Sequence, residues 1–88
     1  MKTQTVTPDS THTAVERCFG FSLTEDSSAA ASVNLRALSA SGQIVVGPIN
    51  LAADESAVIV LPKAVFWEFP GGCHVEEVSG SVAGILYH

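Results

Sequence analysis

Apolar and polar side chains alternate along most of this chain with a period of two, not with the three-to-four spacing of a helix. Between Thr13 and Thr24 the odd positions Val15, Phe19, Phe21 and Leu23 are apolar, and Glu16, Gly20 and Ser22 lie between them. That pattern describes a strand with one buried face. Arg17 interrupts it, which predicts an edge or a bulge at that point. Glu25-Asp26-Ser27-Ser28 reads as a turn. Alternation then resumes, with Ala29, Ala31, Val33 and Leu35 on one side and Ala30, Ser32, Asn34 and Arg36 on the other. A helix capped by Ser27 or Ser28 is the rival reading. It fails because no apolar stripe at helical spacing follows.

Ser39-Ala40-Ser41-Gly42 is the next turn, and Gln43 to Leu51 is a further apolar segment, interrupted by Gly47-Pro48. Proline has no N–H for a ladder, so it belongs at an edge, a bulge or a kink. Ser56-Ala57-Val58-Ile59-Val60-Leu61 is apolar on both faces. It is either a central strand or one whose outer face is covered by another chain. Asp54 and Glu55 before it, and Pro62 and Lys63 after it, act as gatekeepers against aggregation. Ala64 to Phe69 is the densest aromatic segment, Pro70-Gly71-Gly72 is a turn, and Cys73 to Val78 and Ser81 to Tyr87 form a last pair of strands about Ser79-Gly80.

The expected fold is therefore all-β, a small antiparallel β-sandwich or barrel of about six to eight short strands. Met1 to Thr11 is polar, with no helical or strand period. It is either a frayed terminus or an extended arm that lies on a neighbouring subunit. The expected organisation is an arm over residues 1–11 and a single sandwich domain over 12–88.

Composition changes this picture in one respect. Hydrophobic residues make up 47% of the chain and charged residues 15%, against about 25% charged in ordinary domains. A chain of 88 residues has a marginal core of its own. So much apolar character in so little chain implies unusually good packing, surface hidden against a partner, or some of both. The net charge of −5, with Lys2, Arg17, Arg36 and Lys63 scattered, argues against nucleic-acid binding. The uncharged stretch from Ala37 to Ala53 is too broken by polar residues, Gly and Pro to span a membrane. Lys2 is followed by polar Thr3-Gln4-Thr5, with no apolar signal core, so a soluble product of the cytoplasm is expected.

No constellation points to catalysis. G-x-S-x-G is absent, and Pro70-Gly71-Gly72 leads into a strand, not into a helix N-terminus that would cradle phosphate. Cys73 and His74 are neighbours on a strand and point to opposite faces, so they cannot share a metal ion. No C-x₂-C or H-x₃-H spacing occurs, and no cofactor is expected. The acid pairs Glu25-Asp26, Asp54-Glu55 and Glu76-Glu77 sit at turns or strand ends, as solvated residues do. Cys18 and Cys73 read as small buried hydrophobes. Pairing of Cys18 with His12 or His74 is allowed by residue type and supported by nothing further. Trp67 is either core filler or an interface anchor, and Phe66 points the opposite way. The candidate interface residues are Phe66, Trp67, Val58, Val60 and, in the arm, Pro8.

The order Ala30-Ala-Ser-Val-Asn-Leu-Arg36, Ser39-Ala-Ser-Gly42, Ile49-Asn-Leu-Ala-Ala-Asp-Glu-Ser56 and Phe69-Pro-Gly-Gly-Cys-His-Val-Glu-Glu-Val-Ser-Gly-Ser-Val-Ala-Gly-Ile-Leu-Tyr87 resembles small proteins encoded among the virion structural genes of tailed bacteriophages. Asp54 stands where that group usually has Gly. The resemblance implies a β-sandwich on the outside of a phage particle, best as a capsid decoration or cement protein. It implies as partners the major capsid protein and further copies of the chain, with a trimer favoured, and localisation in the virion after synthesis in the host cytoplasm. The group has no catalytic residues to carry over, so no enzyme is expected. The competing reading is a tail- or fibre-associated module that binds a receptor or carbohydrate.

Overall fold

The computed structural model describes residues 1–88. Ten strands follow one another: β1 (Thr3–Thr5), β2 (Ser10–His12), β3 (Arg17–Cys18), β4 (Gly20–Glu25), β5 (Ala31–Ala37), β6 (Ile44–Leu51), β7 (Ser56–Val60), β8 (Trp67–Glu68), β9 (Cys73–Ser79) and β10 (Val82–Tyr87). The chain is all-β, every pairing is antiparallel, and no helix is present that is long and apolar enough to cross a membrane. Four strands form one sheet in the order β1-β10-β4-β7, four form a second in the order β2-β9-β5-β6, and β3 and β8 make a short separate pair.

The alternation seen in the sequence explains the core. Phe21 and Leu23 of β4 and Val82 and Leu86 of β10 bury the inner face of the first sheet. Ala31, Val33 and Leu35 of β5, Leu51 of β6 and Cys73 and Val75 of β9 bury that of the second. These side chains belong to one apolar cluster, joined by Val15, Cys18 and Phe69 from the segments around the β3–β8 pair. Trp67 packs against that cluster and stacks on Phe21, with ring centroids 6.0 Å apart and planes 27° from parallel. The Pro70-Gly71-Gly72 turn closes with Gly72 N–H donating to Phe69 O at 2.8 Å. Gly72 has φ 112°, and a Cβ there would stand 2.7 Å from both His12 O and Thr13 Cα. Only glycine fits that approach of backbone to backbone.

Two expectations differ from what is observed. The strand number is ten, because the N-terminal segment adds β1 and β2 and the β3–β8 pair is only a two-residue ladder. Residues 1–11 are also not an arm standing off the domain. They cross from one sheet to the other. β1 pairs with β10, Val6 N–H donates to Gly84 O at 2.9 Å, and Asp9 N–H donates to Val75 O at 2.7 Å before β2 pairs with β9. Val6 is 7% exposed and belongs to the core. His12 fastens the crossover. Thr7 N–H donates to His12 Nε2 at 2.9 Å, so Nδ1 carries the proton and donates to Cys73 O at 3.2 Å. The segment shows no apolar period because Thr3 and Thr5 face outward and only Val6 reaches the interior.

Candidate functional site

Register places the outward side chains of the first sheet in three rows. Val58 of β7, Ser22 of β4, Ile85 of β10 and Thr5 of β1 lie side by side. Next to them run Val60, Gly20, Tyr87 and Thr3, then Ser56, Thr24 and Ala83. No charged side chain occurs in these rows. Val58 is 61% exposed and Val60 59%, while Ile85 and Tyr87 are half-buried. Thr24 and Ser56 hydroxyls bond to each other at 2.8 Å. The rows end at β7, the last strand of its sheet. Ile59, on the inner face opposite Phe21, is 42% exposed because nothing pairs with its far side.

A buried carboxylate fixes where β7 begins. Glu25, 2% exposed at the end of β4, accepts hydrogen bonds from the N–H of Asp54 at 2.9 Å, from the Ser27 hydroxyl at 2.6 Å and from the Ser27 N–H. The Asp54 N–H, followed by the Ser27 hydroxyl, holds its carboxyl down to about 2, outweighing the opposing effect of desolvation. Glu25 N–H also donates to Glu55 O at 2.9 Å. One side chain thus ties the β4–β5 turn to the β6–β7 turn.

The outer face of the second sheet is built differently. Arg36 Nε and Asn34 Nδ2 both donate to Glu76 Oε1, at 3.0 Å and 2.9 Å, and Arg36 Nη1 donates to Gly42 O at 2.8 Å. The Asn34 bond, then that of Arg36, holds the Glu76 carboxyl below its usual range. His74 Nδ1 lies 2.9 Å from Thr11 Oγ1 in the same layer. Asn34 is 7% exposed, and its Oδ1 has no hydrogen-bond partner. That oxygen faces Gly47, where any Cβ would collide with the Asn34 side chain.

Among the candidate interface residues, Val58 and Val60 share the uncharged face. Phe66 and Trp67 do not join them. Phe66 is half-buried, edge-on to Phe19 at 5.8 Å, with the Arg17 guanidinium 5.2 Å from its ring centroid. Trp67 turns to Phe21 instead. Pro8 is half-buried in the crossover between β1 and β2. Ile85 and Tyr87 join Val58 and Val60 only through strand pairing, which no local pattern in the sequence reveals. The Cys18 thiol donates to Gly20 O at 3.1 Å and burial pushes it up, while burial and then the neighbouring Cys18 push Cys73 up to about 12. Both stay as thiols, and a thiol is a poor nucleophile. No three His, Cys, Asp or Glu side chains converge as a metal site would need. The surface depression lined by Glu16, Arg17, Glu68 and Pro70 is bordered by three charged residues and one proline, unlike the mainly hydrophobic and aromatic lining of most small-molecule sites. No family model, curated protein or solved structure matches the chain.

Proposed function

We propose that this chain is a non-enzymatic assembly protein, a structural component of a bacteriophage particle of the capsid decoration or cement kind. It binds further copies of itself and the major capsid protein through the uncharged outer face of the β1-β10-β4-β7 sheet. The observation that carries the reading is that face itself. In a chain of net charge −5 its rows hold no charge, and Val58 and Val60 stand 61% and 59% exposed. Exposed apolar surface on a small domain marks a place where something docks. Two facing sheets in a sandwich give that face a stiff backing, which suits a protein that reinforces a lattice. The motif order from Ala30 to Tyr87 supplies the phage context. A tail-associated carbohydrate module would need open aromatic platforms, for which the sequence offers Trp67 and Tyr87; Trp67 is engaged on Phe21 and Tyr87 is half-buried.

Quantitative mass spectrometry of purified particles tests the proposal. Hundreds of copies per particle support a shell protein. A handful moves it to the tail or fibre, and absence from particles overturns it.

A further inference from the structure

The four free edges of the two sheets are not equivalent. β1 and β2 are three residues each. β6 is longer, but its pairing with β5 shifts register twice and it contains Pro48, which has no N–H to offer. Short strands, bulges and proline are the usual means of closing an edge to other chains. β7 has none of them. Its five residues, Ser56-Ala57-Val58-Ile59-Val60, pair with β4 without a register shift and carry no charge.

We infer that β7 is a two-fold contact, at which the β7 strands of two copies of this chain pair antiparallel about Val58. The inference rests on the assembly surface proposed above and names its partner as a second copy. Three observations select that occupant. The first is the direction of the backbone groups. Glu25 N–H donates to Glu55 O and Leu61 N–H donates to Phe19 O, so the odd-numbered residues of β7 point their polar groups at β4. Ser56, Val58 and Val60 therefore turn theirs outward. A two-fold axis at Val58 sets Val58 opposite its own copy and Ser56 opposite Val60 of the other. Every outward group then meets an outward group, giving about six backbone hydrogen bonds. The second is charge. Asp54 and Glu55 precede β7 and Lys63 follows it. Antiparallel pairing brings each Lys63 to the acidic end of the other copy, whereas parallel pairing would set acid against acid. The third is the face. Pairing at this axis continues the uncharged rows across both copies and brings the two Val58 side chains together, an isologous contact of the commonest symmetry among oligomers.

Light scattering during size exclusion and cysteine cross-linking test the contact. The wild-type chain runs as a dimer, not as the trimer that the phage resemblance favours, because an isologous contact closes with two copies. Val58→Lys, and separately Val60→Lys, weakens the dimer by about tenfold or more while the circular dichroism stays that of the folded chain. Val58→Cys forms a disulfide-linked dimer on mild oxidation, because directly opposed residues of this class lie about 5.5 Å apart at Cα. Val60→Cys does not, because its own copy lies about 14 Å along the strand. A chain monomeric at every concentration overturns the inference, as does a dimer indifferent to both lysine variants or cross-linking of Val60→Cys as readily as Val58→Cys. Protection of β7 from hydrogen exchange only when capsid protein is added would replace the second copy with a strand of that protein. Copy number in particles is measured independently, so loss of this contact leaves the proposed function standing or falling on its own test.

Discussion

The outer faces of the two sheets rest on one core, yet they treat their polar groups in opposite ways. On the β2-β9-β5-β6 face, Arg36 and Asn34 both donate to Glu76, at 3.0 Å and 2.9 Å, and Asn34 and His74 are nearly sealed from water. Charge there is used up inside the layer. On the β1-β10-β4-β7 face there is no charge to satisfy, and the exposed large apolar side chains are Val58 and Val60. The difference shows that a sheet face can be finished within the chain or left for another chain to finish. A network whose charges are already paired gives little to a partner, because breaking it leaves buried groups unpaired. An uncharged face loses only water on docking, which is favourable.

The comparison can be broken most severely through the shared core. Phe21→Ala lies beneath the uncharged face and Leu35→Ala beneath the polar one. They should cost about 3–5 and 2–5 kcal/mol, each in a single urea transition. Two separate transitions in either variant would show that the faces belong to independent units. Acid should act next. The Glu25 carboxyl is depressed in the folded chain, so its contribution is fully present above the usual 4.5 and is lost as pH falls towards about 2. Glu76 adds in the same direction. Urea midpoints measured through that window should fall, and Glu25→Gln should flatten the fall by removing the titrating group that ties the two turns. A smaller effect is expected from Asn34→Ala, about 1–2 kcal/mol by loss of its bond to Glu76, with oligomeric state unchanged. A change in oligomeric state would mean that the polar face also docks. The smallest is Val58→Thr, within about 0.5 kcal/mol of wild type in monomer stability, together with weaker binding of an apolar dye.

Local pattern made much of the fold legible. Phe21 and Leu23, and then Ala31, Val33 and Leu35, alternate as buried-face strands do, and they lie in β4 and β5 with that face inward. Pro70-Gly71-Gly72 announced its turn by chemistry alone. What stayed hidden depends on pairing between distant segments. Ser56 to Leu61 is apolar on both faces in an edge strand as in a central one, so periodicity left two readings open. The order β4-β7 decides its place. Thr3-Gln4-Thr5 has no apolar side because a short strand at the edge of its sheet needs only one anchor, and Val6 supplies it. Trp67 reads equally as anchor or filler until Phe21 is seen beside it. Glu25 resembled a solvated turn residue, because nothing local tells a carboxylate that it will meet the Asp54 N–H from a turn far along the chain.

The two cysteines have a use that follows from their burial. Cys18 and Cys73 are 0% exposed, and both are held in the protonated form that alkylating reagents attack slowly. Modification must wait for the interior to part. One residue sits on the β3–β8 pair and the other on β9, so the pace at which each sulfur is capped clocks the breathing of two regions of the globule separately, without any introduced label.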